Sequence, residues 1–192
     1  EREGLSVSYP NFQDLRAAQP EGVTDVMAFR LASMSLRADG DPVRAFGALV
    51  SANYFEFLGV RPVLGRGFRA GEGTVPDRDA VVVISHEFWT RVFAGDPSAI
   101  GRSVSLNGRP FTVIGITPPA FHGPVASVLL DAYVPVTMQK AVLPGDRLPP
   151  RGGGWLDVYA RLADGASIEQ ARRSVDVVGK SLGDQFPVEN PG

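Results

Sequence analysis

Two histidines, His86 and His122, are the side chains of this chain best suited to move protons or bind a metal near neutral pH. Catalytic zinc draws on three protein ligands, and neither imidazole stands in a His-Glu-x-x-His or similar spacing that would bring carboxylates to it. Ser85-His86 joins a hydroxyl to a base, yet adjacent side chains at a helix start diverge, and capping accounts for Ser85. No Gly-x-Ser-x-Gly elbow is present. The run Gly65-Arg-Gly67-Phe-Arg-Ala70 matches the dinucleotide pattern in letters, but that pattern works only when a helix N-terminus follows it. Gly71-Glu72-Gly73 stands there instead and carries a carboxylate that repels phosphate, so the run reads as a turn. Asp39 and Asp41, like Asp77 and Asp79, lie in charged turns beside Arg44 and Arg78, where solvation and charge compensation explain them. With no cysteine, thiolate chemistry and disulfides are excluded. The residues therefore predict no catalytic, cofactor-binding or metal site, and a small-molecule hydrolase built on His86 or His122 is the rival reading.

Composition narrows the classes further. A chain of 192 residues with 44% hydrophobic content buries roughly 70% of its unfolded surface, enough for one sizeable domain or two small lobes. Nineteen basic against 21 acidic residues leave a net charge of −2, without the cationic excess that nucleic acid demands. The longest apolar runs, 80–84 and 125–130, fall far short of the about 20 residues that span a bilayer. The chain starts at Glu1 with no signal-like segment, which predicts a piece of a longer protein. The lack of cysteine fits periplasm and cytosol alike.

The elements that would position these groups follow from periodicity and punctuation. Pro10 opens a short helix carrying Phe12 and Leu15, and Gln19-Pro-Glu-Gly22 ends it. Val26–Leu36 reads as a strand turned by residues 38–42 into a second strand over 43–50, which alternates as if one face were covered. Ser51 is set to cap a short aromatic helix bearing Tyr54, Phe55 and Phe57, ended by Gly59 and Pro62. Residues 65–79 form a crossing loop. Ala80–Ile84 is a strand covered on both faces, and Ser85 caps a helix burying Phe88, Trp89, Val92 and Phe93. Asn107-Gly108 predicts a two-residue hairpin turn inside 104–113, with the amide position of Pro110 facing away from its partner strand or lying at a bulge. Residues 131–136 give a short strand, and 140–154, rich in proline and glycine, a mobile connection. Residues 155–162 alternate as a strand with Trp155, Tyr159 and Arg161 on one face. Ser167 and Gln170 stand at capping-box spacing before a helix with Ile168, Ala171, Val175, Val178 and Leu182 on one side.

Several of these stretches occur in an order that carries a resemblance. Val43–Arg66, Ala80-Val-Val-Val-Ile-Ser-His-Glu-Phe-Trp89, Phe93-Ala-Gly-Asp-Pro97, Ile100-Gly-Arg102 and Leu106-Asn-Gly-Arg-Pro-Phe-Thr-Val-Ile-Gly115 together resemble the periplasmic core domain of MacB-like (MacB/FtsX superfamily) ABC transporter permeases. Tyr9–Leu15 and Trp155–Leu162 fit the same family, especially its large variants without a fused nucleotide-binding domain. The resemblance implies an α+β, two-lobed fold. In it a porter-like α/β sandwich subdomain is formed by both chain ends, 1–64 and 154–192, and a β-rich Sabre-like subdomain, 65–153, is inserted. It also implies a periplasmic domain of an inner-membrane protein that couples cytoplasmic ATP hydrolysis to periplasmic export or efflux. The partners implied are its own transmembrane helices, a cytoplasmic ATP-binding subunit and a periplasmic membrane fusion protein, in a dimeric transporter. No cofactor is expected on this chain, which lacks a Gly-x-x-x-x-Gly-Lys-Ser/Thr loop. Asp77, Arg78, Arg147, Arg151 and Trp155 are the candidate partner contacts, and recruitment of cell-wall hydrolases is the second non-enzymatic reading.

Overall fold

A computed structural model describes residues 6–125 and 128–189; within the apolar run 125–130, positions 126 and 127 lie outside the described residues. In chain order the elements are α1 (Tyr9–Ala18), β1 (Val23–Arg37), β2 (Val43–Val50), α2 (Tyr54–Phe57), β3 (Leu64–Gly65), β4 (Val81–Ile84), α3 (His86–Phe93), β5 (Ser103–Leu106), β6 (Arg109–Ile116), β7 (Ala132–Pro135), β8 (Asp157–Leu162) and α4 (Ile168–Gln185). Short 3-10 turns occupy Pro97–Ala99 and Val136–Ala141. The chain divides into two compact units, Glu1–Phe29 with Asp146–Gly192, and Arg30–Gly145. The sequence reading instead grouped residues 30–64 with the chain ends and 146–153 with the inserted part. Pairing of β2 with β7 is what holds residues 43–50 in the middle unit.

In the middle unit the strands follow the order β2-β7-β4-β6-β5-β1, and β1 also pairs with β2, so the ladder returns to its starting strand. β4 lies inside this ladder, parallel to β6 and antiparallel to β7. Val82, Val83 and Ile84 are all fully buried, so both faces of the strand are covered, which is why it reads as an unbroken apolar run rather than an alternating one. The same explanation corrects the reading of β2. Ala48, Leu49 and Val50 are all fully buried, so both of its faces are covered at the C-terminal end.

Local signals were obeyed at most turns. Asn107 and Gly108 have φ of 49° and 86°, the two positive angles of a tight hairpin, and Leu106 pairs with Arg109 across it. Pro110 sits opposite Ser105. The amide of Thr112, two residues on, donates to Ala80 on the other side, so the missing amide at 110 points away from β5. Ser85 Oγ accepts the Phe88 N–H at 3.0 Å and caps α3. Two details differ. Ser51 is not the cap of α2: Asn53 holds that position, and the Ser51 hydroxyl donates to Asn53 Oδ1 at 2.7 Å. Of the four residues expected to be buried on α3, Phe88 and Phe93 are, while Val92 and Trp89 are half-buried, the Trp89 indole N–H donating to the Asp96 carbonyl at 2.8 Å.

The unit made from the chain ends pairs the first part of β1 with β8, Met27 opposite Tyr159 and Phe29 opposite Asp157. Its core holds Phe12, Val26, Met27, Ala28, Phe29, Trp155 and Leu156. Helix α1 starts at Ser8, whose hydroxyl accepts the Asn11 N–H at 3.3 Å, with Pro10 in the first turn. Helix α4 is capped by Ser167, but the reciprocal half of the capping box is absent. The Gln170 side chain donates to Glu21 at 3.0 Å instead. The expected apolar stripe of α4 is buried only at Ala171; Val175, Val178 and Leu182 are half-buried and Ile168 is 69% exposed.

Candidate functional site

Two clusters gather the candidate contact residues. In the middle unit, the crossing loop 65–79 is held at several points. The Arg66 guanidinium grips the Glu72 carboxylate with two bonds of 2.7 and 2.8 Å, and the Arg69 N–H donates to the same carboxylate at 2.9 Å. The hydrogen bond from Arg66 keeps Glu72 below the usual carboxylate range, against the opposing effect of burial. Glu72 thus occupies the amide that a phosphate would need, and the Gly65–Ala70 run is a turn, as its context required. Further along, Asp77 adopts a φ of 59° and its carboxylate accepts from Arg109 at 2.9 Å, while Arg109 also donates to the Asp77 carbonyl at 2.9 Å. Lys140 Nζ stands 4.0 Å from the same carboxylate. Arg78 is engaged with Asp79, the Gly71 carbonyl and Thr74. That bond is the main reason Asp79 titrates below its ordinary range. Asp77 and Arg78 therefore tie the loop down.

The second cluster lies in the unit of the chain ends. Arg151 donates to Asn11 at 2.9 Å and to the Asp14 carboxylate, and its guanidinium lies 3.8 Å from the centre of the Phe186 ring. It links α1 to the end of α4. Trp155 is 5% exposed and its indole N–H donates to the Arg147 carbonyl at 3.0 Å. An indole so enclosed offers no surface to a partner, which corrects the sequence reading of Trp155. The Arg147 side chain is exposed. Residues 140–154 are correspondingly more than a loose connection: Gln139 Nε2 donates to the Leu143 and Gly145 carbonyls at 3.0 Å, and Leu148 is buried.

The histidines stay apart from any constellation. His86 begins α3 and packs edge-on against Trp89 at 5.3 Å, and His122 is exposed in the connection between β6 and β7. No group of three or more His, Asp or Glu among the described residues could hold a metal ion. Ser85 spends its hydroxyl on the cap and does not bond to His86.

An aromatic cluster was not foreseen as a unit. Tyr54 and Phe55 of α2 meet Phe121 and Tyr133 with ring centres 5.4–6.4 Å apart, and Phe68 stacks beside Phe55 at 5.6 Å. The sequence places these rings on four separate segments, so only their size and apolar character, and not their meeting, could be read from it. Tyr133 is fully buried and its hydroxyl finds no partner among the described residues; burial pushes it well above the ordinary tyrosine range.

The fold is an α+β domain similar in structure to solved periplasmic and extracellular regions of transporters. The periplasmic region of MacB from Actinobacillus actinomycetemcomitans is 18% identical, with a TM-score of 0.68 over 98% of this chain and 78% of that one. The extracellular domain of the noncanonic ABC-type transporter YknZ from Gram-positive bacteria is 19% identical, with a TM-score of 0.71 over 96% of this chain and 87% of that one. No curated protein matches in sequence. The model of the MacB-like periplasmic core domain matches residues 2–178, and the chain belongs to that family. It is accordingly a periplasmic domain, and no helix among its described residues is long and apolar enough to cross a membrane.

Proposed function

We propose that this domain is a non-enzymatic, motion-transmitting element of an ABC transporter permease, coupling ATP hydrolysis on a cytoplasmic subunit to export or efflux at the periplasmic face. The observation that carries the reading is the family match over residues 2–178. The use of side chains agrees with it: the charged residues that drew attention in the sequence, Asp77, Arg78 and Arg151, serve to fix loops and helices. In this reading the unit of the chain ends is the porter-like part and the middle unit the Sabre-like part. The domain is carried on its own transmembrane helices, works in a dimeric transporter and meets a membrane fusion protein. Asp77, Arg78, Arg147 and Arg151 are its contact candidates, and the buried Trp155 is withdrawn. Coupling requires that nucleotide state favour one of two arrangements through differential contacts.

Spin labels placed one in each compact unit of the transporter that carries this domain test the reading. Their distance distribution should change between nucleotide-free and vanadate-trapped states, and an unchanged distribution in an ATP-hydrolysing transporter overturns it. Calorimetric titration of the 192-residue chain with ATP should give no heat of binding. Stoichiometric binding would assign the chain a nucleotide site and defeat the division of labour proposed.

A further inference from the structure

Of the asparagines Asn11, Asn53, Asn107 and Asn190, only Asn107 is followed by glycine. That neighbour matters chemically. Gly108 has no Cβ, and one built there would meet no atom within 4 Å, so its backbone nitrogen is unscreened beside the side-chain carbonyl carbon of Asn107. Both residues are exposed to water at the turn between β5 and β6. The Asn107 amide group is nonetheless held at each of its polar atoms. Its Oδ1 accepts the Ser35 N–H of β1 at 2.7 Å, and its Nδ2 donates to the carbonyl of Ala141, the last residue of the 3-10 turn, at 2.9 Å. The Asn107 backbone N–H also donates to the Ser35 carbonyl at 2.8 Å. One side chain thus clamps the hairpin to segments 72 positions before it and 34 after it.

We propose that Asn107 is a site of spontaneous deamidation, closed while this clamp is made and open once the hairpin unfolds. In the unfolded chain the Gly108 nitrogen gives up its proton to solvent base and attacks Asn107 Cγ. A nitrogen–carbon bond forms, the Cγ–Nδ2 bond breaks, and Nδ2 takes up a proton and departs as ammonia. Water then opens the cyclic imide: addition at Cγ leaves aspartate, and addition at the backbone carbonyl leaves isoaspartate, in which the main chain runs through Cγ. In the folded chain, swinging Cγ over the Gly108 nitrogen breaks both side-chain bonds and turns Asn107 away from the φ of 49° that the tight turn needs. The two products differ in what they do to the fold. Aspartate keeps an acceptor for Ser35 and loses only the donor to Ala141. Isoaspartate adds a carbon to the main chain of the turn, so Leu106 no longer meets Arg109, and both clamped segments lose the amide. Each passage through the unfolded state therefore removes some molecules from the folded pool for good. This chemistry is independent of any part in transport.

Peptide mapping by mass spectrometry of the full chain, aged at mildly alkaline pH in buffer or in guanidinium chloride, reads the site directly. The amide-to-acid change at Asn107 should accumulate at least about tenfold faster in denaturant, because the clamp confines reaction to the opened population. After dilution from denaturant, aspartate at position 107 should be found in the refolded fraction and isoaspartate in the fraction that stays unfolded. Asn107→Gly removes the amide but keeps both positive φ angles accessible, so its refolding yield should not fall with time in denaturant while that of the parent does. Mapping and partition use the parent chain alone and decide the matter even if the variant fails to fold. Equal rates in the two solvents, isoaspartate shared equally between the fractions, or a yield that falls equally in parent and variant overturns the proposal.

Discussion

At the scale of single residues, the energetic question is which polar groups are satisfied. Tyr133 is the clearest exception, a buried hydroxyl with no partner among the described residues. Leaving such a group unmade costs about 1–3 kcal/mol, so Tyr133→Phe should keep the fold and raise the unfolding free energy by about 1 kcal/mol in a urea titration. A loss of stability would mean that the hydroxyl is satisfied after all. Glu72 makes the opposite case. Its carboxyl is held below the ordinary range chiefly by Arg66, so its contribution is complete above the unfolded carboxylate pKa of about 4.3 and disappears as pH falls through the lower folded value. Glu72→Gln should therefore cost about 1 kcal/mol at pH 7, with the gap to the parent closing below about pH 4. A gap independent of pH would assign Glu72 a packing role only. Neither behaviour was legible in the sequence. Glu72 showed only as a charge that excluded phosphate, and Tyr133 only as an aromatic in a short strand, because satisfaction depends on partners brought from elsewhere in the chain.

At the scale of elements, local chemistry was readable wherever the decisive contact is local. The Asn107-Gly108 turn, the Ser85 and Ser167 caps and the first turn with Pro10 all use partners within a few residues, and all formed as expected. The departures share one cause, a distant group outcompeting the near one. Gln170 reaches Glu21, 149 positions away, rather than completing its own cap. β2 loses its alternation at its C-terminal end, where both faces are covered and Ala48, Leu49 and Val50 are all fully buried. Close backbone contact is likewise invisible in a sequence. A Cβ at Gly115 would lie 2.2 Å from the Arg66 carbonyl oxygen, where β3 crosses β6. Gly115→Ala should push β3 off its neighbour and lower stability by about 3 kcal/mol, whereas the same change at Gly179, which has open space beside it, should be neutral or stabilising. Thermal melts of the two variants decide between close packing and simple helix or strand propensity as the reason for Gly115.

At the scale of the whole molecule, the architecture depends on pairings that no window of sequence contains. Phe46 and Asp131, 85 residues apart, exchange hydrogen bonds where β2 meets β7, and closure of the ring rests on that seam. Motif order did reveal the class of fold, because the family's stretches lie at separate, ordered places along the chain and the match covers residues 2–178. A ring of strands that returns to its start keeps its own ladder complete. Residues 30–145 expressed alone should therefore unfold in one cooperative transition with strand-rich circular dichroism. A molten or aggregated product would show that the ring needs the rest of the chain. The candidate contact residues were less legible than the fold. Charge and exposure were guessed from residue type, and the structure shows Arg151 and Trp155 committed to internal bonds.

One of the two covalent passages between the compact units runs through the interior of β1, between Phe29 and Arg30. A strand already advances about 3.3 Å per residue, close to the limit of the chain, whereas a helix at about 1.5 Å per residue could more than double in length under load. Tension applied along β1 is therefore carried with almost no slack, since the backbone at this passage has nothing left to unwind.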